Sequence, residues 1–263
     1  MGSWPDPADD RPADHRADDR APRSDHAPRS DRAPRSDRAP RSDRAPRDDR
    51  ALRGDVRVVV ASGNTHKIGE IRSILASHGL DDVDLVAMTE FDLASPVEDG
   101  DTFEANALIK ARACATATGL PSIADDSGIE VDALGGDPGV RSARYAGEPS
   151  DDAANNAKLL GALDGVADVE RTARFVCAVA VAWPDGRHLL TRGTMEGRVI
   201  DTMRGSNGFG YDPLFVADAT IDGRTNGELT AAEKDVISHR GQALGELAAH
   251  PDLSRWLSEA GRG

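Results

Sequence analysis

A six-residue unit, Pro-Arg-Ser-Asp-Arg-Ala, recurs from Pro28, Pro34 and Pro40, with a variant copy from Pro22 and a truncated one from Pro46. No feature constrains the chain more. The unit carries no apolar side chain larger than Ala, so successive copies have nothing to stack and form no solenoid. Around it, residues 1–54 hold 13 Arg, 12 Asp and 8 of the chain's 15 Pro. Such a segment buries too little to offset the entropy of ordering it, and it is expected to be a disordered, solvated extension. Folding is thereby confined to residues 55–263, a single expected domain. A domain of that size buries about 70% of its unfolded surface and needs no covalent staple.

Charge divides the same way. The extension carries a net +1 and residues 55–263 carry −15, giving −14 overall. An acidic body repels nucleic acid over most of its surface, so no nucleic-acid partner is expected. A polyanionic ligand would need a local cationic pocket, a divalent metal or both. Cys114 and Cys177 are too far apart to read as a metal-ligand pair, and so few cysteines suggest a reducing compartment. The opening Met-Gly-Ser-Trp-Pro-Asp-Pro has no basic and apolar signal regions, and no apolar run reaches the length of a membrane span. A cytoplasmic protein without membrane contact is expected.

The domain begins on Val56, Val58, Val59 and Val60, a β-branched run that reads as a buried strand. A turn follows, then a helix with Ile68, Ile71, Ile74 and Leu75 on one face. Residues 83–87 read as a short strand and 102–118 as an Ala-rich helix stopped by Gly119-Leu120-Pro121. Residues 122–124 and 129–131 read as short strands flanking an acidic turn, and 151–163 as a helix. Residues 174–183 and 188–198 read as long strands paired across Pro184-Asp185-Gly186. Thr230-Ala231-Ala232-Glu233 is a capping box that opens a last helical region running to Leu257. The mixture implies an α/β domain with a mixed sheet.

Four segments carry candidate chemistry. The first, Ser62-Gly63-Asn64-Thr65-His66-Lys67, passes from strand to helix, where free backbone N–H groups favour an anion. Lys67 in the first helical turn opposes the helix dipole, which makes sense if an anion lies between them. In the second, Asp125 and Asp126 stand side by side, a repulsion that a divalent cation would relieve. Mg²⁺ takes one or two carboxylates plus waters and phosphate oxygens, and the acidic loop at Glu98 offers another ligand. The third, Gly208-Phe209-Gly210-Tyr211-Asp212, sets glycines that let a ligand approach beside rings that can stack on a base. The fourth combines Lys234 with Ser238-His239-Arg240. Each alone also reads as an ordinary capped helix, solvated turn or basic helix end.

In order and spacing, the four resemble the inosine triphosphate pyrophosphatase family over about residues 56–249. The segments concerned are SGNTHK, TFEANALIKA, ADDSGIEVDALGG with PGVRSARYAG, GFGYDPLF, and ELTAAEK with ISHRGQAL. The resemblance implies an elongated α/β fold with a mixed twisted sheet flanked by helices, two lobes and a cleft between them. It implies a Mg²⁺-dependent homodimeric hydrolase that converts ITP, dITP or XTP to the monophosphate and pyrophosphate. By position, Ser62, Gly63, Asn64, Thr65, His66 and Lys67 would cradle the phosphates. Asp126 would accept a proton and bind metal, with Glu98 completing the metal site. Ser127 would touch substrate, Phe209, Gly210, Tyr211 and Asp212 would hold the nucleoside, and Lys234, His239 and Arg240 would read the base. One departure stands out, since Ala105 replaces the family's Glu in Thr102-Phe103-Glu104-Ala105-Asn106-Ala107.

Donors from His239 or Arg240 would suit the 6-oxo group of a deaminated purine and be left unpaired against the 6-amino group of adenine, at about 1–3 kcal/mol. Two alternatives remain from the sequence. A related pyrophosphatase of pyrimidine or modified nucleotides would carry Ser-Pro-Arg-Arg-like residues after the first strand, where this chain has Gly63 to Lys67. A non-catalytic nucleotide-binding protein would have no need of Lys67, Glu98, Asp125 and Asp126 together.

Overall fold

The computed structural model describes residues 56–63 and 65–261. The 1–54 extension and Asn64 lie outside the described residues, as do the side chains of Thr65 and His66. Six strands form one mixed, twisted sheet in the order β2-β1-β3-β4-β5-β6. They are β1 (Val56–Val60), β2 (Val83–Ala87), β3 (Ser122–Val131), β4 (Thr172–Ala182), β5 (His188–Val199) and β6 (Phe215–Ala217). β1 runs parallel to β2 and β3, while β3, β4, β5 and β6 pair antiparallel in turn. The expected hairpin is present, closed by Gly186 N donating to Trp183 O at 3.0 Å.

Among the described residues six α-helices accompany the sheet: α1 (Thr65–Ser77), α2 (Phe103–Thr118), α3 (Asp152–Ala162), α4 (Ala231–Ile237), α5 (His239–Ala248) and α6 (Pro251–Ala260). Strand alternation sorts the core into faces. Val58, Val60, Ile123, Val179 and Val181 pack with α1, α5 and α6, including Ile68, Ile71, Leu75, Leu244 and Leu257. Val59, Ala124, Ala178 and Ala180 face α2, whose Ala107, Ala111 and Ala115 let the helix lie close on the sheet. A third cluster forms at the far ends of the long strands, where Ile129, Val131, Phe175 and Met195 meet Leu159 of α3 and Phe215. β3 to β5 thus join two packing regions. Among the described residues, no helix is long and apolar enough to cross a membrane. Both cysteines are free, buried thiols; burial pushes Cys177 up to about 12.

Two expectations are corrected. Residues 122–131 are one unbroken strand rather than two flanking an acidic turn, because each Asp in its middle meets cations on its own side of the sheet. The last helical region is three helices. Ser238 ends α4 and caps α5 by accepting from Gly241 N at 3.1 Å, and His250 caps α6 just before Pro251.

Candidate active site

β1 pairs with β3 only at Val59–Ser122 and Val60–Ile123, after which the chain leaves the sheet through Ser62 and Gly63 into α1. From Ala124 to Ile129, β3 is therefore paired on one side only, by β4. Asp125, Asp126 and Ser127 lie along this open edge.

Asp125 is 5% exposed and faces α1 and α5. Its carboxylate accepts from Lys67 Nζ at 3.0 and 3.2 Å, from Arg240 Nε and Nη2 at 3.3 and 3.2 Å, and from Ser127 Oγ at 3.2 Å. Arg240 Nη1 donates to Glu70 Oε2 at 2.7 Å. Burial alone would raise the Asp125 carboxyl, but Lys67 and Arg240 overcome it and hold the group well below the usual carboxylate range. Arg240 reaches this spot because α5 crosses β5 closely at Gly193. A Cβ there would meet the His239 carbonyl and stand 2.7 Å from Ala243 N.

Asp126 faces α2. Its Oδ1 accepts from Lys110 Nζ at 3.1 Å and its Oδ2 from Asn106 Nδ2 at 3.2 Å. Lys110 Nζ also donates to Glu98 Oε2 at 3.0 Å, and Asn106 Oδ1 accepts from Gly100 N at 2.8 Å. Asn106 and Lys110 thus tie the acidic loop to the strand. Burial pushes the Asp126 carboxyl up, against the pull of Lys110 and with the help of Glu98. Lys110 is itself buried, yet Asp126 and Glu98 raise its ammonium above the usual value. The expected sharing of one cation by Asp125 and Asp126 is corrected: the period of two sends them to opposite faces. Asp126 instead converges with Glu98 on Lys110 Nζ. Among the described residues, no three His, Cys, Asp or Glu side chains form a metal cluster.

Thr102 caps α2 by accepting from Ala105 N at 3.1 Å. With Ala at 105 the return bond of a capping box is missing, a loss on the order of 1 kcal/mol or less. The neighbouring Glu104 pairs with Arg192 at 2.8 Å instead.

The nucleoside candidates gather beside the same edge. Ser127, Phe175, Phe209, Gly210, Tyr211, Asp212, Lys234, His239 and Arg240 all line a cavity of about 110 Å³. Phe209, Lys234, His239 and Arg240 also border a wider one of about 490 Å³ reaching Glu70. Asp212 Oδ2 accepts from Lys234 Nζ at 2.6 Å and from Phe209 N at 2.9 Å, and Asn226 Nδ2 donates to Asp212 Oδ1 at 3.2 Å. Lys234 Nζ stands 5.0 Å from the centre of the Phe209 ring, which is 64% exposed. Tyr211 Oη donates to Ser142 O at 2.8 Å. His239 stacks on Phe175 at 5.2 Å and 15°, and its buried Nδ1 has no partner among the described residues. Burial, with Arg240 and Lys234 nearby, lowers the imidazole to about 3, so it is neutral at physiological pH.

The sequence reading missed Asn106, Lys110, Asn226 and Phe175 as site residues. For Asn106 and Lys110 a signal exists: they interrupt the buried stripe Phe103, Ala107, Ala111, Cys114 of α2 at helical spacing.

The model of the Ham1 family matches residues 58–250. A dITP/XTP pyrophosphatase of Frankia alni is 53% identical over 198 residues, which are 73% of this chain and 96% of that one. A dITP/XTP pyrophosphatase of Corynebacterium diphtheriae is 50% identical over 196 residues, 73% of this chain and 95% of that one. The solved structure of a HAM1 protein from Coxiella burnetii superposes with a TM-score of 0.68 at 42% identity, covering 73% of this chain and 96% of that one.

Proposed function

The chain belongs to the Ham1 family, and from that premise we propose that it hydrolyses deaminated purine nucleoside triphosphates, dITP, ITP and XTP, to the monophosphate and pyrophosphate. The observation that carries the reading is the open edge of β3, where Asp126 with Lys110 and Asp125 with Lys67 stand next to a cavity holding a neutral His239. Both relatives described above bear the dITP/XTP pyrophosphatase name.

In this reading the phosphates lie against the Ser62–Lys67 turn and the α1 N-terminus. Lys67, held by Asp125, and Lys110, held by Asp126 and Glu98, supply positive charge to a group that gains negative charge on the leaving pyrophosphate. Asp126 Oδ takes the proton of the attacking water, a role that a buried carboxyl with a raised proton affinity suits. Glu98 and Asp126 already converge on one cationic centre, Lys110 Nζ, so the donor set fits a small hard cation that keeps waters and phosphate oxygens as its other ligands. Mg²⁺ held by Glu98 and Asp126 would neutralise phosphate charge.

Base selection rests on His239 more than on Arg240, because three Arg240 N–H contacts already go to Asp125 and Glu70. A neutral imidazole can offer one N–H to a 6-oxo group. Against a 6-amino group it leaves a buried donor unpaired. Phe209, Gly210, Tyr211 and Asp212 frame the nucleoside. A cytoplasmic homodimer completes the proposal, and sedimentation of the purified chain tests that part. A panel of common and deaminated nucleoside triphosphates, assayed with and without Mg²⁺, tests the whole: dITP and XTP should be hydrolysed and ATP left nearly untouched.

A further inference from the structure

Two side chains of α3 grip the backbone of a single residue, Gly210, in the loop that carries Phe209. Asp152 Oδ2 accepts from Gly210 N at 2.7 Å, and Asn156 Nδ2 donates to Gly210 O at 2.8 Å. Four residues apart, the two lie on one face of the helix. Asn156 is 4% exposed, and its buried Oδ1 has no partner among the described residues. A side chain kept there at the cost of an unsatisfied oxygen needs a compensating role.

The gripped residue is the weak point of the loop. Gly210 adopts φ +60°, and a glycine there has the most freedom to lose. On one side of it stands the exposed Phe209 ring. On the other stands Asp212, bonded to Phe209 N and paired with Lys234. The adjacent Asn155 accepts from Ala146 N at 2.7 Å and donates to Ala143 O at 3.0 Å, and Ala143 also lines the cavity. The first two turns of α3 therefore hold two of its lining segments.

We propose that Asp152 and Asn156 are positioning residues of the nucleoside site, fixing the Phe209 ring and the Asp212–Lys234 pair through the Gly210 backbone and so setting nucleotide affinity rather than the rate of bond cleavage. The proposal rests on the nucleotide reading above. A loop released from the helix must be ordered again on binding, which weakens ground and transition states alike and appears in KM.

Steady-state kinetics of the full chain on dITP, with melting temperatures recorded alongside, test this. Asn156→Ala and Asp152→Ala should each raise KM about tenfold with kcat within about twofold, the loss expected from one good hydrogen bond. Asp152→Asn, whose amide oxygen still accepts from Gly210 N, should restore most of the native KM. In a Phe209→Ala background, Asn156→Ala should raise KM by clearly less than it does alone, because part of its effect passes through that ring. Native KM in the alanine variants, full additivity with Phe209→Ala, or lost active fraction at native KM would each overturn the clamp. If Asn156→Ala does not fold, the exposed Asp152 pair of variants still decides. A native chain that leaves dITP intact would overturn the nucleotide reading and the clamp with it; one that hydrolyses dITP normally confines any failure to the clamp.

Discussion

Asp125 and Asp126 are consecutive in β3, yet their carboxylates meet cations on opposite faces of the sheet, Lys67 and Arg240 for the first and Lys110 for the second. Alternation in a strand separates them, and their surroundings then drive them apart chemically. Asp125 is held ionised by two cations. Asp126, buried and close to Glu98, binds its proton more tightly than a free carboxyl. One anchors cationic side chains, and the other has the proton affinity that the proposed general base needs.

Asp126→Asn should therefore cut kcat by at least about 100-fold, the scale of a lost general base. A base must be ionised to act. The kcat/KM profile should thus rise with pH along an acid limb that the variant loses. Folding carries the opposite sign: the raised affinity stabilises the protonated native state at low pH, a contribution lost as pH rises through the native value. A pH series of dITP turnover and of urea unfolding checks both.

Lys110→Met should leave Glu98 and Asp126 facing one another without a counter-charge. Removing one member of a buried ion pair costs about 3–5 kcal/mol. The variant should melt lower than the native chain and regain more of its melting temperature on adding Mg²⁺, because the cation replaces the missing ammonium. Thermal melts with and without Mg²⁺ read this directly. Equal Mg²⁺ shifts in both proteins would separate the carboxylate pair from the metal.

How far the sequence foretold this site depended on which residues broke their own pattern. The β-branched run of β1, the hairpin and the Thr230 cap follow local rules, and they appear where the sequence places them. β3 does not, since two adjacent charges in an apolar run read as a turn. It stays a strand because Lys67, Arg240 and Lys110 arrive from helices far away in sequence. Lys110 and Asn106 were hidden in an Ala-rich helix, although both sit on its buried stripe. Arg240 pairs with Asp125 and Glu70, and no local pattern foretells Glu70 as its partner. Lys158, on the outer side of α3, spends its ammonium on Tyr145 O at 2.5 Å.

His239 should make the fold acid-sensitive. Its imidazole is held at about 3 in the native state against an ordinary value of 6.5. The unfolded chain therefore binds the proton first as pH falls below 6.5, and native stability declines by about 1.4 kcal/mol per pH unit from this group. His239→Gln should flatten the decline between pH 6.5 and 4, as urea unfolding would show. Turnover near neutrality should show no inflection from His239.

Deleting residues 1–54 should change neither dITP turnover nor melting temperature appreciably. Beyond its alanines the segment offers only Met1, Trp4 and Leu52 as apolar side chains to dock, and the Ham1 match begins only at residue 58. Parallel assays of the two chain lengths decide it, and a large loss of either property would mean that the extension packs on the domain.

The central claim, a water attacking the α-phosphorus under Asp126, is tested most directly by hydrolysing dITP in ¹⁸O-labelled water and locating the label by mass spectrometry. Attack at the α-phosphorus places ¹⁸O in dIMP and leaves pyrophosphate unlabelled. Label in the pyrophosphate, or dIDP and orthophosphate as the first products, would contradict it.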